Sequence, residues 1–152
     1  MKKQILNILV MAAVLSACGP GQKKEAEEEV EVETEVEEVE AVNSRVYFIS
    51  PADGDVVPTT FMVEMGVEGM EVEPAGEVKE GYGHHHILLN QAGWPEGEII
   101  PPSDTTLHYG KGQTTTELTL EPGDYVLSLQ FADGVHRSYG QSMSASVRVT
   151  VE

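Results

Sequence analysis

The chain has 152 residues, 26 of them acidic and nine of them lysine or arginine, and its formal net charge is −17 at pH 7. A chain this acidic is not expected to bind nucleic acid or anionic lipid head groups, because both interactions need a basic surface. Its single cysteine is Cys18. We therefore exclude disulfide bonds and thiolate metal sites from the folded part, whose core must be held by apolar packing alone.

The N-terminus has the features of a bacterial signal peptide. Two lysines precede an apolar run over residues 5–15, which is too short to span a bilayer. The run ends in Leu15-Ser16-Ala17-Cys18, which resembles the lipobox of bacterial lipoproteins. This resemblance implies that residues 1–17 are removed and that Cys18 is acylated and becomes the lipid anchor. The alternative is an ordinary secreted protein whose cysteine follows a small-residue cleavage site by chance.

The lipid anchor determines the expected location of the protein. Stable anchoring needs more than one acyl chain, and the diacylglyceryl group of a lipoprotein meets that requirement. We therefore expect a protein of the bacterial cell envelope whose only contact with the membrane is this anchor. In the lipoproteins of diderm bacteria that this N-terminus resembles, an aspartate after the lipidated cysteine is associated with retention at the inner membrane. Here Gly19 follows Cys18. The absence of an aspartate at this position favours the outer membrane.

An acidic segment separates the predicted anchor from the folded part. Residues 25–40 contain ten glutamates, broken mainly by valine and alanine. Like charges at this density repel one another and leave too little apolar surface to offset the entropy of ordering. We predict that residues 18–44, which begin with the lipidated cysteine, form a disordered linker that holds the domain away from the bilayer.

The remaining residues, 45–152, have a common length for one domain. Apolar and polar residues alternate in short runs between turn residues, and no amphipathic helix pattern is found, which favours an all-β fold. We predict an immunoglobulin-like Greek-key β-sandwich of about seven strands. The strands are expected at residues 46–50, 59–67, 84–90, 98–100 or 105–108, 114–120, 125–131 and 145–151.

All five histidines of the chain lie in three short stretches of this domain. The stretches are residues 83–87, with His84, His85 and His86, residues 107–114, with His108, and residues 134–140, with His136. In a seven-strand Greek key, the loops after the second, fourth and sixth strands lie at the same end of the sandwich. The three stretches adjoin these loops. Strand parity therefore predicts that they meet at one end.

Four of these histidines form a candidate metal site. His84 and His86 are two residues apart on a strand, so both side chains point the same way, with Cα atoms about 6.6 Å apart, and His85 faces away. The predicted ligands are His84, His86, His108 and His136. The rest of the shell is expected from Met143, Tyr109, Asp104 or water. Imidazole ligands suit Zn²⁺ or Cu²⁺ better than Mg²⁺ or Ca²⁺, which prefer oxygen.

Two functions remain open at this point. The first is a lipid-anchored envelope protein that binds or buffers Zn²⁺ or Cu²⁺. The second is a module without metal that recognises an envelope protein or a glycan, since histidines at strand ends often only hydrogen-bond to backbone or water. We expect no enzymatic activity, because there is no helical His-Glu motif and no nucleophilic cysteine, and Ser138 is only a sequence neighbour of His136.

Several short motifs spread across the domain carry a family resemblance. They are Val67-Glu68-Gly69-Met70, Pro74-Ala75-Gly76, Gly83-His84-His85-His86, residues 108–114, Pro122-Gly123 and residues 132–140. Together they resemble a bacterial family known as domain of unknown function 4399. The resemblance implies a small secreted or lipid-anchored β-domain and marks the same three histidine stretches, but it brings no known activity. Asn90 stands where that family is expected to have an aspartate.

Overall fold

The computed structural model describes residues 43–152. The predicted signal peptide at residues 1–17, the predicted lipid anchor Cys18 and the linker up to residue 42 lie outside the described residues. Within residues 43–152, no helix is long and apolar enough to cross a membrane. This part of the chain contains nine β-strands and a single 3₁₀ turn at Gln141–Met143.

The nine described strands are numbered in chain order. They are β1 (Arg45–Ser50), β2 (Asp55–Val57), β3 (Thr60–Glu68), β4 (Glu71–Val72), β5 (Tyr82–Leu89), β6 (Thr106–His108), β7 (Thr115–Thr119), β8 (Gly123–Ala132) and β9 (Ser144–Val151). All seven predicted strands are present, with ends shifted by one or two residues. The strands β2 and β4 were not predicted, because they have only three and two residues and cannot show a period.

The strands form two sheets that pack as a sandwich. The smaller sheet has the order β1-β3-β7, and the larger has the order β2-β9-β8-β5, with β4 and β6 both paired to β5. Pairing is antiparallel except for β2 with β9 and β4 with β5. The larger sheet therefore contains the third, sixth and seventh predicted strands, as an immunoglobulin-like Greek key requires. The prediction of an all-β sandwich is confirmed.

Of the two alternatives for the fourth predicted strand, the structure contains the later one, Thr106–His108. Residues 98–100 do not form a strand, although Ile99 makes an isolated bridge to Arg137. This bridge lies above the larger sheet, where the loops of residues 90–105 and 133–140 meet. Gly97 N donates to Ser138 O and Ile100 N donates to His136 O, so the two loops hold each other in place.

Apolar side chains fill the space between the two sheets. The inward residues include Phe61, Val63, Met65, Leu127, Leu129, Phe131 and Val149. A second, smaller apolar cluster lies on the outer face of the larger sheet. It consists of Leu88, Ile100 and Ala132, with Trp94 packed against it. The loops therefore bury part of the outer face.

Candidate metal centre

The strand β5 places its three histidines on opposite faces of the larger sheet. His85 is in phase with Ile87, a core residue, and its ring contacts Phe131 edge-on with centroids 5.0 Å apart. His84 and His86 therefore face the outer side, as the two-residue spacing predicted. They are 0 % and 2 % exposed, because the loops of residues 90–105 and 133–140, which we call the covering loops, lie over them. Alternation along one strand thus supplies two buried imidazoles side by side.

His108 reaches the same place through strand pairing. The antiparallel register of β6 with β5 sets His108 directly opposite His86, and opposed residues project from the same face of a sheet. Their ring centroids are 5.1 Å apart. A Cβ atom on Gly110 would overlap the His108 ring. The ring therefore requires a residue without a side chain at position 110.

His136 comes from the loop that follows β8. Its backbone has a φ of 70°, which is uncommon for a residue with a side chain. The Nε2 atoms of His136 and His108 are 3.1 Å apart, and the ring centroids of His136 and His84 are 5.0 Å apart. His136 thus completes a group of four imidazoles drawn from three segments that are remote in sequence.

The four imidazoles lie close together. The ligand nitrogens of His84, His86 and His108 all lie within 4.8 Å of one another, and the Nε2 atoms of His84 and His86 are 3.1 Å apart. His136 lies outside this set of three and adjoins it through His108. The six distances between ring centroids run from 4.7 to 5.8 Å. For four imidazoles around one tetrahedral ion, metal–nitrogen bonds of about 2.0–2.1 Å give centroid distances of about 5.2 Å. The observed distances are close to that value.

The position of the group differs in one respect from the prediction. Strand parity correctly brought the three stretches together, but the histidines lie on the outer face of the larger sheet, under the covering loops. Met143 and Tyr109, considered as additional ligands, belong instead to the core between the sheets. Asp104 is exposed and is not part of the histidine group. These three ligand predictions are therefore wrong, since two of the residues point away from the outer face.

Burial keeps these histidines neutral. Loss of hydration, reinforced by the neighbouring imidazoles, lowers the pKa of His84 to about 4 and that of His86 to about 3. Burial also lowers the pKa of His108 and brings the pKa of His85 to about 4. An imidazole must be neutral to bind a metal through its lone pair. At pH 7 the rings are therefore in the form that a metal ion needs.

A short segment that sequence reasoning missed ties the three histidine stretches together. We call residues 73–76 the strap. Its backbone N–H groups donate to one glycine in each stretch, with Glu73 N bonded to Gly83 O, Ala75 N to Gly110 O and Gly76 N to Gly134 O at 2.7–2.9 Å. The glycine-rich motifs of the family resemblance were the available signal, because they include every acceptor of the strap. The histidines are thus held by backbone hydrogen bonds as well as by strand pairing.

The group is open to solvent on one side. His108 is exposed and His136 is half-buried. A cleft of about 240 Å³ adjoins them, lined by His86, Ile99, Ile100, Pro101, Pro102, Thr106, His108 and His136. The cleft gives an ion a route to the buried pair of β5. A second cleft near Asn90 and Arg148 lies away from the histidines, and Asn90 there accepts a hydrogen bond from Val126 N through its side chain.

The fold and the site define a small β-sandwich domain with a four-histidine cluster on one sheet. A model of the family described as domain of unknown function (DUF4399) matches residues 63–152, so the chain belongs to that family. No curated protein matches the chain. Among solved structures, the chain is similar to the PKD domain (329–428) of human KIAA0319, with 19% identity over 72% of this chain and 80% of that chain and a TM-score of 0.36.

Proposed function

We propose that this domain binds one transition-metal ion through His84, His86, His108 and His136. The observation that supports the proposal is the close approach of all four rings, whose centroids are 4.7–5.8 Å apart. Hydrogen bonding alone would pair His84 with His86 and His108 with His136, and two such pairs need not lie beside each other. A shared cation explains why the four rings are brought together, since neutral imidazoles are its ordinary ligands.

The geometry favours Zn²⁺ over Cu²⁺. In a square-planar site, the preferred arrangement of Cu²⁺, two of the six centroid distances would be about 6.4 Å. The longest distance here is 5.8 Å, between His86 and His136, and the opposite pair, His84 and His108, is separated by 5.0 Å. Four nitrogens in a tetrahedron suit Zn²⁺, which has no directional preference of its own. We therefore propose Zn²⁺ as the ion.

We further propose that the site binds or buffers metal and has no catalytic role. A catalytic zinc site keeps a ligand position open for water or substrate, whereas four protein ligands fill the shell. Ser138, the hydroxyl nearest in sequence to His136, donates to Trp94 O and accepts from Gly140 N. These two bonds occupy the hydroxyl within the loop structure, which supports a binding protein over a hydrolase.

Metal titration tests the proposed function. Purified full-length protein is titrated with Zn²⁺, and separately with Cu²⁺, while its melting temperature is followed. At a free Zn²⁺ concentration 100 times Kd, binding stabilises the folded state by about 2.7 kcal/mol, which raises the melting temperature by roughly 10–20 °C. A smaller shift is expected for Cu²⁺, and none for the His86→Ala, His108→Ala double variant.

The titration would contradict the proposal if wild-type protein showed no shift, or if the double variant showed an equal one. The histidine group would then be a polar recognition surface for an envelope protein or a glycan. Crosslinking from this surface should in that case capture a partner in the presence of a chelator.

We also propose that the protein is anchored in the outer membrane through acylated Cys18, on the basis of its lipobox sequence. In a diderm bacterium, wild-type protein is expected in the outer-membrane fraction with incorporated radioactive palmitate. The Cys18→Ser variant should be unlabelled and soluble, and Gly19→Asp should keep the label but move to the inner membrane. Label on the Cys18→Ser variant would contradict the proposal.

A further inference from the structure

The loop that carries His136 has an unusual backbone. The φ of His136 is 70°, in the left-handed region where the side chain of an L-residue meets its own backbone. Such a conformation is strained and persists only where surrounding bonds hold it. The position of the His136 ring therefore depends on whatever fixes this loop.

The side chain of Asp133 provides such bonds on both sides of His136. Its Oδ1 atom accepts hydrogen bonds from Val135 N at 2.9 Å and from Arg137 N at 2.8 Å. Two backbone hydrogen bonds complete the turn. His136 N donates to Asp133 O and Asp133 N donates to Arg137 O, both at 2.9 Å. Asp133 is only 5 % exposed, so water competes little for its acceptor atom. Both flanking amides of His136 thus bond to one buried oxygen.

The neighbouring glycine limits the alternatives for this loop. A Cβ atom on Gly134 would overlap the carbonyl oxygens of Gly76, the last residue of the strap, and of Glu77 next to it, so the loop can lie against the strap only with glycine there. The other side of the loop is bonded to Ile100 N through His136 O. The Asp133 turn is therefore held between the strap and the loop of residues 90–105, and the His136 ring points towards His108.

We propose that Asp133 is a positioning residue of the metal site, which holds His136 in its left-handed conformation by accepting these two hydrogen bonds. This inference rests on the proposed function. It assigns the role to the acceptor oxygen and not to the negative charge, because the two bonded groups are backbone amides. Without the acceptor, His136 is expected to relax to a negative φ and its ring to leave the group.

Cobalt spectroscopy separates this role from a general structural one. Purified full-length protein is titrated with Co²⁺, whose visible absorption changes when one of its ligands is replaced. Wild-type protein and Asp133→Asn, whose amide oxygen accepts the same two bonds, should give the same spectrum. Asp133→Ala should give the altered spectrum of His136→Ala, in which water replaces one imidazole, and bind Zn²⁺ about 10- to 100-fold less tightly than wild type.

The outcomes distinguish the inference from the proposed function. Absence of Co²⁺ and Zn²⁺ binding to wild-type protein would overturn both. A wild-type spectrum and affinity in Asp133→Ala, or a loss in Asp133→Asn as large as in Asp133→Ala, would overturn the positioning role alone. If Asp133→Ala does not fold, Asp133→Ser decides, because its hydroxyl is a weaker acceptor for the same kind of turn. An intermediate affinity supports the role, and a wild-type affinity overturns it.

Discussion

Replacing His84 and His86 together by leucine is expected to raise the melting temperature of the metal-free protein while it abolishes the response to Zn²⁺. The two rings are fully buried, and within residues 43–152 their Nδ1 atoms have no hydrogen-bond partner. A buried polar group without a partner costs about 1–3 kcal/mol, whereas leucine of similar size fits an apolar site. The expected gain in the metal-free state is about 1 kcal/mol or more, which corresponds to roughly 4–8 °C.

His85→Leu is the matched control for this double variant. His85 lies between the two ligands and is equally buried, but it faces the core, and neither of its ring nitrogens has a partner among the described residues. The control should also melt at a higher temperature without metal, and it should keep the full Zn²⁺ response. A double variant that still responds to Zn²⁺, or that is strongly destabilised without metal, would contradict the assignment of His84 and His86.

The second large effect is a loss of metal-free stability in mild acid. Burial lowers the pKa of His84 and His85 to about 4 and that of His86 to about 3, while the same residues in the unfolded chain titrate near 6.5. Between these values the unfolded chain takes up protons that the folded state cannot accept. Stability should therefore be constant above about pH 7 and fall as the pH drops from about 6.5 towards 4, by up to about 1.4 kcal/mol per pH unit for each group.

Urea unfolding of the metal-free protein at a series of pH values measures this slope. In the His84→Leu, His86→Leu variant the slope should decrease to the contributions of His85 and His108, whose pKa values are also lowered. Carboxylates contribute mainly at lower pH. Hydrogen bonds from Arg148 lower the pKa of Asp53 to about 2 and those from Arg45 lower the pKa of Glu68, so both affect stability mainly below their unfolded values near 4. A stability that is unchanged between pH 7 and pH 5 would show that the three rings remain accessible to protons.

The longer strands could be predicted because each carries a visible alternation of apolar and polar residues. The inward series of β8, with Leu127, Leu129 and Phe131 buried, can be recognised from the residues alone. The same alternation in β5 separated His85 from its two neighbours. The loop of residues 90–105 has no such period, since proline and glycine dominate it, and so its folding over the outer face of the sheet could not be predicted.

The proximity of the histidines could be predicted from the sequence, but the backbone contacts that support them could not. Strand parity was enough to group the histidines, because it depends only on the order of strands. The strap and the turn of Asp133 depend on backbone amides, which every residue except proline has and which leave no residue-specific pattern. The sequence indicates these supports only indirectly, through Gly83, Gly110 and Gly134. Glycine is needed at these three positions because other atoms occupy the space of a Cβ atom.

The placement of the histidines outside the core has a consequence for how an ion would be carried. The residues between the sheets, among them Leu129 and Phe131, are fully buried and make no use of the histidine face of β5. The sandwich is therefore expected to stay folded without a bound metal ion, unlike small domains that fold only when their metal is bound. If the site binds an ion as proposed, that ion could be bound and released repeatedly while the sandwich stays folded.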